Sequence, residues 1–400
     1  MTETLDMFSP ELRADPTHAY RRLRETGRLH EFRPGIHLVP RYADCDAIFG
    51  DPAFGHGYFS GINPFRPGVD PRTLPGSFLL MDPPDHTRLR AMVAPSFTPR
   101  AIAALRDQIT ATTIALLDDA LAAGEVDFVT DIAYPLPLTT ICTMLGIPTA
   151  DHAIFGVWAA AISRGLDPDA LLSENEKQAR SDAVRAFGEY FAVLIERRRA
   201  RPGTDLLTKL ATRTPLQLRQ LVDMAVLLLI AGHETTMNLI ASGVLALARN
   251  PEQREILRTA PEVSRIAVEE FLRFDTPVPF PTRVAMRDVE FAGRVLPRGT
   301  GLMLLVGSAN RDPEAFTDPD SLDVTRFAAN RPTPRHLAFS HGPHFCVGAP
   351  LARLQGEILF TELMRRAPDF ELLDPTPPYR ASVSMRGPLS LPVRMSAASM

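Results

Sequence analysis

The tract from Thr214 to Ala248 does most to constrain the fold. It reads as one helix of about 35 residues. Thr214 and Gln217 have capping-box spacing, Pro215 suits a first turn, apolar residues recur to Ala248, and Asn250-Pro251 ends the run. At 1.5 Å per residue it is about 50 Å long. Such a helix either crosses a bilayer or runs through a large globular core. His233 and Glu234 stand in mid-stretch, where a charge at a bilayer centre costs roughly 2.5–3.5 kcal/mol, and the uncharged run before them is too short to span. The tract therefore predicts a buried central helix and a domain large enough to surround it.

Composition agrees. With 400 residues, 45% of them hydrophobic, the chain can form one large domain that buries about three quarters of its surface. We read residues 1–400 as a single domain, mainly α with small β-sheets, without linker or repeat. A net charge of −4 argues against a nucleic-acid partner. Cys45, Cys142 and Cys346 have no paired spacing, so neither a disulfide framework nor a zinc site is indicated, and a reducing, cytoplasmic setting fits. Residues 1–6 are acidic with no apolar h-region, so no signal peptide is expected, and no membrane association.

Along the chain, Ile36–Val39 reads as a strand and Asp44–Gly50 as a short helix. Residues 54–78 form a Gly- and Pro-rich loop, long enough to suggest a functional segment. Helices are expected over Ile102–Leu121 after Thr98-Pro99, over Pro137–Leu145, Ser173–Arg199, Pro261–Phe274 and Ala349–Arg366, with β pieces near 283–291, 301–306 and 389–393.

Cys346 lies in the stretch Phe339-Ser340-His341-Gly342-Pro343-His344-Phe345-Cys346-Val347-Gly348, just before the last of these helices. Gly342 and Gly348 let the backbone turn without a Cβ. The free amides and positive dipole end of the following helix favour a thiolate, the ligand a haem iron needs for oxygen activation. In the long helix, Gly232-His233-Glu234-Thr235 places a carboxyl beside a hydroxyl in apolar surroundings. Thr235 can bond back to the Ala231 carbonyl and bend the helix, and Glu234 can pair with a distant arginine. Alternatively the two form an acid–alcohol pair for proton transfer, with Gly232 leaving room beside them.

Phe339, Gly342, Cys346 and Gly348 resemble the haem-ligand signature of the cytochrome P450 family, the haem-thiolate monooxygenases, although Ser340 stands where many members have glycine. The similarity extends from about Met81 to the C-terminus. It implies the P450 fold, a triangular helical prism with a long helix over haem b. Cys346 would then be the iron ligand, Thr235 and Glu234 the catalytic alcohol and acid, and Gly232 and Phe339 neighbours of the cofactor. His86 and Arg90, at i and i+4, with Arg283 and His344, resemble the partners of the haem propionates. Glu270-Phe271-Leu272-Arg273 resembles the family's Glu-x-x-Arg element, with Arg326 as its third member. The chain carries no flavin or iron–sulfur motif, so a ferredoxin and a ferredoxin reductase are expected as electron donors, with Arg353 part of the docking face. A small, largely apolar substrate is implied, contacted by the 54–78 loop, Leu228, Ile230, Val278, Phe280 and Ser382–Ser384. The expected function is monooxygenation in natural-product biosynthesis. Oxidative coupling without oxygen insertion and a non-catalytic haem sensor are the alternatives.

Overall fold

A computed structural model describes residues 9–68, 77–167 and 169–397. The expected acidic N-terminus and residues 69–76 of the Gly/Pro-rich loop lie outside them. The elements that position the site are helices α1 (Asp85–Val93), α2 (Pro135–Leu145), α3 (His152–Arg164), α4 (Glu174–Ala200), α5 (Leu218–Arg249), α6 (Ser264–Phe274) and α7 (Ala349–Arg366). A five-stranded sheet lies at one side. Its strands are β1 (His30–Arg33), β2 (Ile36–Val39), β3 (Phe54–Gly55), β4 (Thr282–Ala285) and β5 (Gly301–Leu304), in the spatial order β1-β2-β5-β4-β3. A second sheet joins 125–127, 369–372 and 392–396.

Helix α5 is the expected central helix. It passes a length-and-composition test for a membrane span, but 72% of its most apolar window is buried within the protein, as befits a core helix. Its start differs from the sequence expectation by one turn. Gln217, not Thr214, is the N-cap, and its amide donates to Gln220 Oε1 at 3.1 Å. Thr214 instead closes the preceding helix, Leu206–Arg213, by donating to the Leu210 carbonyl at 2.6 Å. The expected helix over Ile102–Leu121 is likewise two, Pro99–Ala103 and Arg106–Ala123. By contrast α4 opens with a true capping box at Ser173 and Glu176, and α7 has the expected bounds. One continuous apolar core runs from Phe78 to Met395 and wraps α5.

Candidate active site

The cysteine loop is fixed by contacts distant in sequence. The Cys346 amide donates to the Phe339 carbonyl at 3.0 Å, which closes the loop on itself. Gly342 has φ +71, and a Cβ there would meet the Phe49 carbonyl oxygen at 2.7 Å, so only glycine fits. His341 Nε2 pairs with the Asp46 carbonyl at 2.7 Å, fastening the loop to the helix Tyr42–Gly50. Ser340 has φ 57, the left-handed region, where a residue with a Cβ carries about 1–2 kcal/mol of strain. That explains why glycine suits this position.

The thiol of Cys346 is accessible, yet protein crowds it on its other sides. That burial pushes its pKa up, against the amides of Gly348 and Ala349 and the charges of Arg90 and Arg353. The helix end pulls toward thiolate as expected, but burial outweighs it.

Beside the thiol is a cluster of bases and cations with little to balance it. The His86 and His344 rings lie 4.1 Å apart and the His56 and His344 rings 4.5 Å. Both nitrogens of buried His86, and Nδ1 of His56, have no hydrogen-bond partner among the described residues. Arg283 is buried over the Phe49 ring and, among the described residues, its one side-chain hydrogen bond is local, from Nη1 to the carbonyl of Thr282. Burial pushes its pKa down to about 10 despite Asp82. Arg90 donates to the Phe345 carbonyl at 2.5 Å. Burial, with Arg283 nearby, drives His344 down to about 3. Buried bases without anions are unfavourable. A doubly anionic group such as the two haem propionates would satisfy them, so the residues present fit that cofactor. His56 was not foreseen. Its signal was the triplet Gly55-His56-Gly57: a Cβ on Gly55 would meet Asp82 Oδ1 at 2.5 Å, and Gly57 has φ +70.

Beneath the loop, Glu270 is paired with two arginines in full burial. Arg273 binds it at 2.7 and 2.8 Å, and Arg326 at 3.1 and 3.2 Å. The remaining guanidinium donors reach carbonyls of Asn310, Thr317, Asp318, Pro319 and Ser321. Next to it, Glu269 accepts from Arg353 at 2.6 and 2.8 Å and contacts His336 at 3.0 Å, while Arg353 covers the Phe339 ring. Burial would raise Glu269, but these partners hold it down to about 2. Arg353 thus pairs internally while its side chain stays 37% exposed.

On α5, Glu234 is 5% exposed, and burial pushes its pKa up to about 7. Arg380 opposes that shift, as does the nearby Ser163 hydroxyl, which has no other hydrogen-bond partner among the described residues. Arg380 acts on Glu234 only through its charge, and the pairing foreseen from sequence is not formed among the described residues. Thr235 donates to the Ala231 carbonyl at 2.7 Å, which leaves its oxygen as an acceptor. A Cβ on Gly232 would lie 3.2 Å from Ile141, so this glycine also lets α5 pack closely on α2. His233, fully buried, meets the Tyr134 ring at 4.5 Å.

Two expected substrate contacts are engaged elsewhere. Phe280 packs edge-on to Tyr20. Ser382 Oγ and the amides of Val383 and Ser384 donate to the fully buried Asp167, at 3.0, 3.2 and 2.8 Å. Arg164 also pairs with Asp167.

The Cytochrome P450 family profile matches residues 169–378. The chain belongs to the cytochrome P450 family. It is 37% identical to the vitamin D(3) 25-hydroxylase of Pseudonocardia autotrophica, with 100% of this chain and 98% of that protein covered. It is also 37% identical to the polyketide biosynthesis cytochrome P450 PksS of Bacillus subtilis, with 98% and 99% covered. Among solved structures it resembles CxnD, a cytochrome P450 for C–S bond formation in chuangxinmycin biosynthesis, with 34% identity, a TM-score of 0.87 and coverage of 98% and 97%. This P450 is accordingly a haem-iron monooxygenase with the P450 fold, an oxidoreductase that uses redox partners and acts on small molecules.

Proposed function

We propose that this P450 oxidises a largely apolar natural product, with Cys346 as the ligand of a haem b iron and Glu234 and Thr235 delivering protons. The observation that carries the reading is the Cys346 thiol beside a cluster of two arginines and three histidines that Asp82 balances only in part. Arg90, Arg283, His86, His344 and His56 would hold the propionates, and Phe339 backs the loop. Chemistry supplied by the bound haem is the reductive activation of dioxygen and the oxidation of a substrate C–H bond. The chain's own residues orient and protonate. Thr235, with its hydrogen turned to Ala231, offers an oxygen that accepts a hydrogen bond from a water, and Glu234 holds a transferable proton near neutrality. The continuous core supports one domain over residues 1–400. We further propose a cytoplasmic protein supplied with electrons by a ferredoxin and its reductase, as expected for a chain with no flavin or iron–sulfur motif of its own.

The test is the spectrum of the reduced carbonyl complex. Wild type should show a thiolate-ligated iron and Cys346→Ala should lose it; a histidine-type spectrum in wild type would refute the reading. Product analysis with labelled dioxygen then separates hydroxylation from oxidative coupling, which inserts no oxygen. The likeness to CxnD favours coupling as the second reading.

A further inference from the structure

Glu234, Asn238 and Ser242 are spaced four apart on α5 and share one stripe. All three are buried, Asn238 completely. Among the described residues neither amide atom of Asn238 has a hydrogen-bond partner, nor has Ser242 Oγ. Each buried polar group left unpaired costs about 1–3 kcal/mol. Some other buried hydroxyls in helices bond back to their own backbone, although Ser163 and Ser264, like Ser242, have no partner among the described residues. Thr113 and Thr140 donate to the carbonyls four residues back, each at 2.8 Å, whereas Ser242 does not. The neighbours Leu239, Ile240, Ala241, Val244 and Leu245 are apolar, so packing does not demand polarity on this stripe.

The far end of the stripe meets a cavity of about 250 Å³ lined by Ser242, Asn250, Asp275 and Tyr379, together with Asp15 and Arg249. The last two are exposed, so the cavity reaches solvent. The hairpin from Tyr379 to Pro388 roofs the stripe between cavity and acid. A Cβ on its Gly387 would fall 2.3 Å from Asn238 Oδ1. Its Arg380 reaches Met237 Sδ at 3.5 Å, one turn beyond Glu234, and the Arg380 Nε is itself buried and unpartnered.

We infer that this stripe is a hydrated proton path, in which waters bridge Ser242, Asn238 and Glu234 from the solvent cavity to the acid. A buried water needs two to four polar partners, and the stripe offers a hydroxyl, an amide that both donates and accepts, the carboxyl and the Arg380 Nε. Asn238 and Ser242 hold water without giving up protons to it. Glu234 passes its proton toward Thr235 and takes one back from the stripe side, so one proton enters at the cavity for each one delivered and no further reactant is consumed. This path rests on the reading of Glu234 as proton donor.

The test uses the holoenzyme. A high-resolution crystal structure should show ordered water within hydrogen-bond distance of Ser242 Oγ and the Asn238 amide. In substrate-free protein, the infrared band of the protonated Glu234 carboxyl should move to its deuterated position on transfer to D2O. In Asn238→Leu/Ser242→Ala that exchange should be at least about tenfold slower, with more reduced oxygen lost as hydrogen peroxide during turnover. Ser242→Ala alone, a single lost hydroxyl beside the cavity, keeps the measurement available if the double variant does not fold. A dry stripe, or exchange as fast as wild type, overturns the path. Glu234→Gln separates the two claims. If it impairs oxidation while the stripe variants exchange normally, only the path fails; if it leaves oxidation unchanged, the donor role fails and the path with it.

Discussion

Glu270 and Asn238 are both fully buried, yet their surroundings are opposites. Around Glu270 two arginines, an amide from Asp323 and a ring of carbonyls use the polar atoms on offer. Around Asn238 no described group answers either amide atom. A saturated network fixes a shape, and here it fixes the underside of the cysteine loop. An unsaturated stripe in the same core marks a place built for something mobile. The molecule thus saturates the polar groups beneath the cysteine loop and leaves those of the α5 stripe unpaired among the described residues.

The strongest way to break this contrast is Glu270→Ala. It strands two buried guanidinium groups and should destabilise the fold by about 3–5 kcal/mol, read as a large fall in denaturation midpoint. A loss below about 1 kcal/mol would mean that the network is not holding the underside. Next is Glu234→Gln. Removal of the transferable proton should slow substrate oxidation by about 10²-fold. Because the Glu234 carboxyl is raised to about 7, its proton-bearing form prevails below that pH and is lost above it. Wild-type oxidation should therefore decline through pH 7, and the Gln variant should lack that inflection.

Acid titration sharpens the comparison from the rigid side. Glu269 is held down to about 2, below its unfolded value, so its contribution to stability is present above about pH 4.5 and disappears as pH falls toward 2. Arg353→Met should remove most of that acid-dependent loss in a pH series of thermal melts. The smallest effect belongs to Ser340→Gly. Relief of left-handed strain is worth about 1–2 kcal/mol, and glycine's greater unfolded freedom takes back about 0.5–1 kcal/mol, so the melting temperature should rise by no more than a few degrees.

The parts legible in the sequence were those written as local chemistry. Gly342 before Cys346, the acid and alcohol in an apolar helix, and Glu270 three residues before Arg273 each declare themselves within a few positions. The start of α5 misled because Thr214 and Gln217 carry equally good capping chemistry, and only tertiary packing assigned Thr214 to the helix before. Contacts between remote segments had no local trace: Arg380 beside Glu234, Asp167 beneath Ser382–Ser384, and Arg353 on Glu269.

The bond between His341 and the carbonyl of Asp46 joins positions 295 apart. Most of the polypeptide must therefore emerge and settle before the cysteine has its final address, and contacts this remote form late for want of chain entropy. A chain clipped of its early helix would keep Cys346 in its sequence but lose this anchor of the loop that carries it.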